Sequence, residues 1–519
     1  MKKINFRFIT GLLIALFFGH INAFANQTLI ILHTNDIHGR LAPIDYSEKL
    51  INVGGQARRN SIIKKIKSEN KNVLVLDGGD IAQGSLYYSF YGPIPNIEYM
   101  NNAGYDASAV GNHEFDRGIN DFQSSIKCAK FPFLASNLHF KKHKELNCLI
   151  KDYLIKDVNG FKIGIIGVTT PEFATKTKAP DDTIVLSPEK AINHSLKELK
   201  NKTDYNIVLS HMGIDEEKKI AAKLKNIDLI VGGHSHTMIQ QPIIIENKQN
   251  KTFIVQDWQW GMYIGELTLD FNDNNKLNSY KYELIPVDKN SPEDKTVKDS
   301  VDKLTKEIKE KTAIVLTKLN QPLDARRSIL THTQSPAGQL MTMAIKDKYP
   351  QVDIVLQNNA GIRADKIFKD KLSLGDLMEL YPFENNIILT NISGKELKSV
   401  LETSSRSLPT GNSGYLQAYG VEYKVDTTKQ PQLLSKDGKK IIKEGKRVSD
   451  IKINGIAINN KKEYLVAIND YMANGGDGYN QFKKDHKMTN TGVYTRDIII
   501  EYIKKHSPLT LETQEKNNR

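Results

Sequence analysis

Cysteine is almost absent from this chain: Cys128 and Cys148 are the only two in 519 residues. Neither lies near the aspartate and histidine clusters described below, so neither a catalytic thiol nor a thiolate metal ligand is expected. Long apolar runs are missing beyond the N-terminus, and no internal segment is expected to cross a bilayer. No basic stretch is interleaved with aromatics, which removes the signature of nucleic-acid binding. Internal repeats and low-complexity segments are also lacking. The formal charge of +12 can attract anionic substrates, but its lysines are scattered, as on a solvated surface.

The N-terminus has its own pattern. Lys2, Lys3 and Arg7 precede an apolar stretch from Ile9 to Phe18, followed by Ala23-Phe24-Ala25. This reads as a secretory signal peptide over residues 1–25, cut near Ala25. Its removal takes away those three cations and leaves +9. The apolar core is short for a membrane span, and no cysteine follows the cleavage site. The expected location is therefore periplasmic or secreted, without a stable membrane anchor. In such an oxidising space an even cysteine count favours a Cys128–Cys148 disulfide.

A chain of 519 residues exceeds one hydrophobic core and fits two to four domains. Residues 26–290 alternate strands with helical stretches, Gly54–Asn70 and Asp215–Leu224 among them, which predicts an α/β sheet covered on both faces. Ser291, Pro292 and Glu293 signal the start of a mostly exposed linking helix over 291–312. A second unit spans 313–511, with helices expected at Ala337–Lys348 and Gly394–Thr403 and strands at Ile354–Leu356, Ile387–Leu389 and Tyr464–Ala467. The chain after Pro508 is polar and expected to fray, ending in a tail at 512–519.

Five short apolar runs each end in metal-ligand residue types. Leu29–Leu32 leads into Asp36-Ile37-His38, and Val73–Leu76 into Gly78-Gly79-Asp80. Ala107–Val110 leads into Asn112-His113-Glu114 with Asp116 behind. Ile207–Ser210 leads into His211, and Leu229–Val231 into His234-Ser235-His236. Runs of this kind read as buried strands, and ligands of open α/β sheets sit beyond the carboxyl ends of strands. Asp36-x-His38 and His234-x-His236 read as extended pairs with both side chains on one side. Each cluster alone is weak. Together they supply oxygen and nitrogen donors for two metal ions, a set that suits Zn, Mn, Co or Fe.

The order D-x-H, G-D, G-N-H-E, H, G-H-x-H resembles the calcineurin-like dinuclear metallophosphoesterases. Gly232–Thr237 and Asn474-Gly475-Gly476-Asp477-Gly478-Tyr479 resemble the bacterial periplasmic 5′-nucleotidase and UDP-sugar hydrolase family over nearly the whole mature chain. The resemblance implies a four-layer α/β/β/α metallophosphoesterase domain, a linking helix and an α+β substrate-binding domain. It implies one metal site of Asp36, His38, Asp80 and His236 and a second of Asp80, Asn112, His211 and His234, bridged by Asp80. A shared carboxylate offsets repulsion between two cations, and such a pair generates hydroxide near neutral pH. His113 and Asp116 match the catalytic dyad. Phe383 and Tyr471 match the positions that sandwich a nucleobase, with Tyr471 expected on a surface loop. Asp477 matches a position facing the sugar or ordering its loop. Arg327, Asn358 and Arg363 match substrate-contacting positions, the arginines being suited to phosphate. Thr331 stands where the family carries a second phosphate-binding arginine, and Pro336 where it carries an asparagine. His332 is the neighbour placed to compensate.

The resemblance implies a metal-dependent phosphohydrolase acting on a nucleotide, most simply a 5′-nucleotidase. A 2′,3′-cyclic-nucleotide phosphodiesterase with 3′-nucleotidase activity, or a nucleotide-sugar or NAD pyrophosphatase, would share the same metal core. A non-catalytic nucleotide-binding or adhesion module is the reading outside enzymology. Oligomeric state has no signature in the sequence.

Overall fold

The computed structural model describes residues 27–511, apart from 47, 48, 178, 179, 181, 248–250, 384, 484 and 485. The signal peptide expected at 1–25 and the tail at 512–519 lie outside the described residues.

Five strands position the N-terminal clusters: β1 (Gln27–Thr34), β2 (Val73–Asp77), β3 (Ala107–Ala109), β4 (Tyr205–His211) and β5 (Leu229–Val231). β1, β2 and β3 run parallel in the middle of a seven-stranded sheet. β4 and β5 run parallel in a six-stranded sheet. The two sheets pack face to face. Leu29, Ile31, Leu74 and Leu76 meet Ile165, Ile207, Leu209 and Val231 in the core between them. The alternate residues Ile30, Leu32 and Val75 face outward onto helices that supply Ile63, Met100 and Phe122. Val208 and Ile230 do the same on the far side, against Ile192 and Ile220. Every central strand is thus apolar on both faces, which is why the sequence shows continuous runs rather than alternation. The four layers are helix, sheet, sheet and helix.

The expected helices form close to their predicted limits: α1 (Gln56–Glu69), a helix at Ile214–Lys223, and others at Pro336–Lys348 and Gly394–Ser405. The linking helix runs Lys295–Thr312 and starts later than Ser291 and Pro292 suggest, because Asp294 is the cap, accepting from the Val297 N–H at 3.1 Å. Its Val297 and Val301 bury against Leu41, Ala57 and Tyr99. The C-terminal domain is built on a mixed five-stranded sheet in the order Leu416–Tyr419, Ile354–Asn358, Glu463–Asn469, Asn386–Ser393 and Met488–Tyr494. Separate cores cover its two faces.

Two expectations are corrected. Cys128 and Cys148 are both free and exposed, and no bridge joins them. Each sits at its own surface helix, one just past Ile119–Ile126 and the other within Lys144–Leu149. Residues 509–511 also pack onto the domain rather than fray. Leu509 and Leu511 are buried, and the Leu509 N–H donates to Lys318 O at 2.9 Å, so an apolar pair anchors a segment that looks polar.

The two domains meet across the ends of β1–β5. Lys176, in the short helix Phe173–Lys176, donates to Asp477 Oδ1 at 2.7 Å and reaches Ser413 Oγ at 3.4 Å. The Asp477 side chain is 1 % exposed and that of Lys176 17 %. Burial alone would raise the Asp477 carboxyl, but the Lys176 charge and hydrogen bond, with Asn358 Nδ2 at 2.7 Å, hold it below the usual carboxylate range. A carboxyl depressed on folding adds stability that is full above its unfolded value of about 4 and lost as pH falls through the folded value. Lys176→Met should therefore destabilise the closed arrangement by about 3–5 kcal/mol, the cost of leaving one buried charge unpaired. It should also remove the acid-linked part of that stability, because without Lys176 burial raises the Asp477 carboxyl and its protonation no longer opposes closure. Small-angle scattering across pH checks both; identical profiles for wild type and variant would remove this pair as a clasp.

Candidate metal centre and substrate cleft

Glycines bring the five clusters together. A Cβ on Gly78 would lie 2.6 Å from Gly232 O, and one on Gly233 would lie 2.6 Å from Gly78 O. The strand ends of the two sheets therefore touch backbone to backbone. A Cβ on Gly111 would sit 2.2 Å from Asp80 Oδ1, so the Asp80 carboxylate lies directly over that position.

Two groups result. Asp36, His38 and His236 offer one ligand atom each within 4.8 Å of one another, and Asp80, His211 and His234 do the same. Asp36, His38, Asp80 and His211 are almost completely buried. Asp80 lies between the groups: its Oδ2 is 3.1 Å from His211 Nε2 and 3.9 Å from His38 Nε2, while its Oδ1 accepts from the His113 N–H at 2.9 Å. Asp36 Oδ1 is 3.3 Å from His236 Nε2, and its Oδ2 accepts from Asn35 Nδ2 at 2.7 Å. The far nitrogens of two rings are fixed by carbonyls: His211 Nδ1 lies 2.7 Å from Gly78 O and His38 Nδ1 3.3 Å from Ala82 O. That leaves both Nε2 atoms facing the site, the orientation that ligating histidines take.

The backbone differs from the extended pairs read in the sequence. Asp36, His38, Asp80, His234 and His236 all have positive φ, between 50° and 73°. Five non-glycine residues in the left-handed region are costly, and such strain concentrates at functional sites.

The electrostatics fit cations. Burial pushes His234 down to about 3 and His38 well below its ordinary value, so both rings are neutral donors. Burial also opposes charge on Asp80 and His211, yet their mutual attraction wins. It holds Asp80 well below the carboxylate range and pushes His211 up to about 10. Asp80 thus demands a positive partner. Asn112 Oδ1 is buried without a hydrogen-bond partner among the described residues, and a buried polar atom left unmet is expensive unless something binds it. Two divalent cations match this donor set, carboxylates, imidazoles and one amide carbonyl.

The His113 ring packs 5.3 Å from that of His38 and lines a cavity together with the ligand residues. Its Nδ1 lies 2.6 Å from Asp116 Oδ2, and its Nε2 lies 3.4 Å from Arg363 Nη2. The cavity, about 210 Å³, is shared between the domains. His38, Asp80, Asn112, His113, Asp116, His234 and His236 line it from one side. Arg327, Asn358, Arg363, Phe383, Tyr471 and Asp477 line it from the other. Asp36 and His211 are packed beneath. Every residue assigned to the site from the sequence therefore converges here. The Phe383 ring is 6.3 Å from that of His113, with the Arg363 guanidinium 5.8 Å from its centroid. Tyr471 is not on a loop but on the helical turn Asp470–Ala473, and its ring lies over Gly476, where a Cβ would come within 2.4 Å of it.

Thr331 and His332 are absent from this cavity. Thr331 Oγ1 turns back to Arg327 O at 3.0 Å and to His332 Nδ1 at 2.6 Å. Pro336 opens the helix Pro336–Lys348, where its missing N–H would have no helical partner in any case. Sequence reasoning missed Lys176, Glu172, Asn385 and Ser413, which also line the cavity. Lysine and glutamate carry no signal in a chain rich in both; the turn-forming run Gly411-Asn412-Ser413-Gly414 was the one visible cue.

The calcineurin-like phosphoesterase family matches residues 29–238, and the 5′-nucleotidase C-terminal domain matches 315–484. The 5′-nucleotidase of Vibrio vulnificus is 28% identical, over 93% of this chain and 91% of its own length. The trifunctional nucleotide phosphoesterase protein YfkN of Bacillus subtilis is 27% identical over 92% of this chain, which spans only 34% of that longer relative. Among solved structures, the 5′-nucleotidase precursor of Thermus thermophilus superposes with a TM-score of 0.85 at 27% identity, covering 95% of this chain and 99% of its own. With the metal-ligand groups at the joined strand ends and both domain types in this order, the chain belongs to the 5′-nucleotidase family of calcineurin-like metallophosphoesterases.

Proposed function

We propose that the protein is an exported nucleotide phosphohydrolase that releases phosphate from nucleoside 5′-monophosphates. The observation that carries this reading is a single cavity with metal-ligand groups on one wall and two aromatic rings, Phe383 and Tyr471, on the other. The names of the relatives point the same way, and the segment at 1–25 supports export. Among the described residues no helix is long and apolar enough to cross a membrane.

Asp36, His38, Asp80 and His236 would hold one cation; Asp80, Asn112, His211 and His234 would hold the other. Bound there, a divalent pair supplies Lewis acidity and an activated water near neutral pH. The nucleobase stacks on Phe383 and Tyr471, an interaction worth roughly 1–3 kcal/mol that accepts any base. Asp477 and Asn358 face the sugar. Arg327 and Arg363 hold phosphoryl oxygens through charge-assisted hydrogen bonds. As water adds to phosphorus and the P–O5′ bond breaks, His113 Nε2 delivers a proton to the departing oxygen. Asp116, on Nδ1, fixes the ring for that transfer.

Three outcomes test this reading. Chelation should abolish phosphate release and divalent transition metals restore it, with Asp80→Ala losing both ions together by elemental analysis; full activity in metal-free enzyme refutes the proposal. His113→Ala should keep its metals and lose about 10²–10⁴-fold in kcat; a change of only a few-fold would make His113 structural. Across AMP, 3′-AMP, 2′,3′-cyclic AMP, UDP-glucose, NAD and a small aryl phosphate, AMP should be the best substrate. Phe383→Ala and Tyr471→Ala should weaken AMP far more than the aryl phosphate. Equal losses on the two would show that the rings only hold the fold.

A further inference from the structure

The three ligands that the second sheet contributes are tied to one buried pair, Glu217 and Gln256. Glu217 lies on the helix Ile214–Lys223, on the buried stripe it shares with Ile220 and Ala221. An apolar residue would suit that stripe better, since a carboxyl removed from water needs its oxygens met. Gln256 follows the strand Lys251–Val255, which runs parallel beside β5, and is fully buried as well. Gln256 Nε2 donates to Glu217 Oε2 at 2.9 Å. The carboxyl sits directly on Gly232, where a Cβ would come within 2.4 Å of both its oxygens.

From this pair, bonds run to the chain neighbours of each ligand. Ser210 Oγ, directly before His211, donates to Glu217 Oε1 at 2.9 Å. The Gly233 N–H, directly before His234, also reaches the Glu217 carboxyl. Gln256 Oε1 accepts from Ser235 Oγ at 3.1 Å and from the Thr237 N–H at 3.2 Å, the residues on either side of His236. Ser235 Oγ in turn accepts from the Ile214 N–H at 3.1 Å, which returns the loop to the start of the helix. The donors to Glu217 are a hydroxyl, a side-chain amide and a peptide N–H, all neutral. His234 and His236 hold left-handed backbone, φ 73° and 50°, and such conformations persist only where the surroundings fix them.

We propose that Glu217 and Gln256 are positioning residues for both cations, acting through the loop Gly232–Thr237 and through Ser210. Their role rests on the metal-ligand assignment above and is independent of the substrate. It is also asymmetric. The site of Asp80, Asn112, His211 and His234 takes two imidazoles from the tethered segments, whereas that of Asp36, His38, Asp80 and His236 takes one. Loosening the pair therefore weakens the first of these sites more.

Zn²⁺ titrated calorimetrically into the metal-free, full-length chain tests this. Asn112→Ala and His38→Ala, each lacking a ligand private to one site, identify the two binding steps. Glu217→Gln keeps the shape but puts an amide where acceptors are needed. Gln256→Met keeps the length and loses every side-chain bond, so one variant serves should the other fail to fold. In both, affinity at the Asn112 site should fall about 10–100-fold, the effect usual for groups behind metal ligands, with a smaller loss at the His38 site. Equal losses at the two sites would show only a general loosening of the domain and overturn the proposal, as would wild-type affinity at both. If wild type itself binds no Zn²⁺, the metal reading falls and the positioning role with it. If wild type binds two ions but hydrolyses no nucleotide, a selective loss in the variants sustains the positioning role while the nucleotide reading fails.

Discussion

The metal centre depends on one steric constraint: the carboxyl ends of two sheets approach until only hydrogen atoms fit between their backbones. Gly78 against Gly232, and Gly233 against Gly78, leave no room for a side chain. The first sheet contributes Asp36, His38, Asp80 and Asn112, and the second His211, His234 and His236. Neither set is complete alone. Widening the gap by one methyl group would separate Asp80 from His211, whose 3.1 Å approach links the two sets. The apolar layer between the sheets serves this purpose, because Ile31, Leu76, Leu209 and Val231 fix the distance at which those glycines meet.

That closeness has a local cost. Five ligand positions sit in left-handed backbone, and Asn112 and His236 carry buried polar atoms with no hydrogen-bond partner among the described residues. The surroundings hold them there. Asp36 is bonded by Asn35 and by the His234 backbone. Asp80 is held by the His113 N–H, and the His211 ring is pinned through its Nδ1 by Gly78 O. Glu217, buried behind β5, accepts from Ser210 and Gln256 and packs on Gly232, so the loop carrying His234 rests on a bonded carboxyl group. These bonds hold the donors in place, and divalent cations bound there would offset the accumulated strain.

Much of this was legible in the sequence, and the exceptions have physical causes. The strands were readable because burial on both faces demands unbroken apolar runs, and the ligand clusters because each follows such a run directly. The backbone of Asp36 and His38 was not, since alternation assumes an extended chain and nothing in D-x-H marks a left-handed turn. Lys176 was invisible for a different reason. Its significance lies in what surrounds it in space, the carboxylate of Asp477, and that partner is distant in the chain. The disulfide expectation failed because cysteine parity carries no information on distance. The fraying expected after Pro508 does not begin before Leu511, because two leucines, Leu509 and Leu511, outweigh a polar average.

The division of labour between the two domains has an evolutionary reading. Every proposed metal ligand and the proposed proton donor lie before residue 240, while Phe383, Tyr471, both family-matched arginines and Asp477 lie after residue 320. Reactivity and recognition are therefore encoded in separate stretches of gene that touch only across the cleft. Drift in one stretch can change which ester is accepted while the bond-breaking apparatus stays intact. A fold built this way diversifies its diet without reinventing its chemistry.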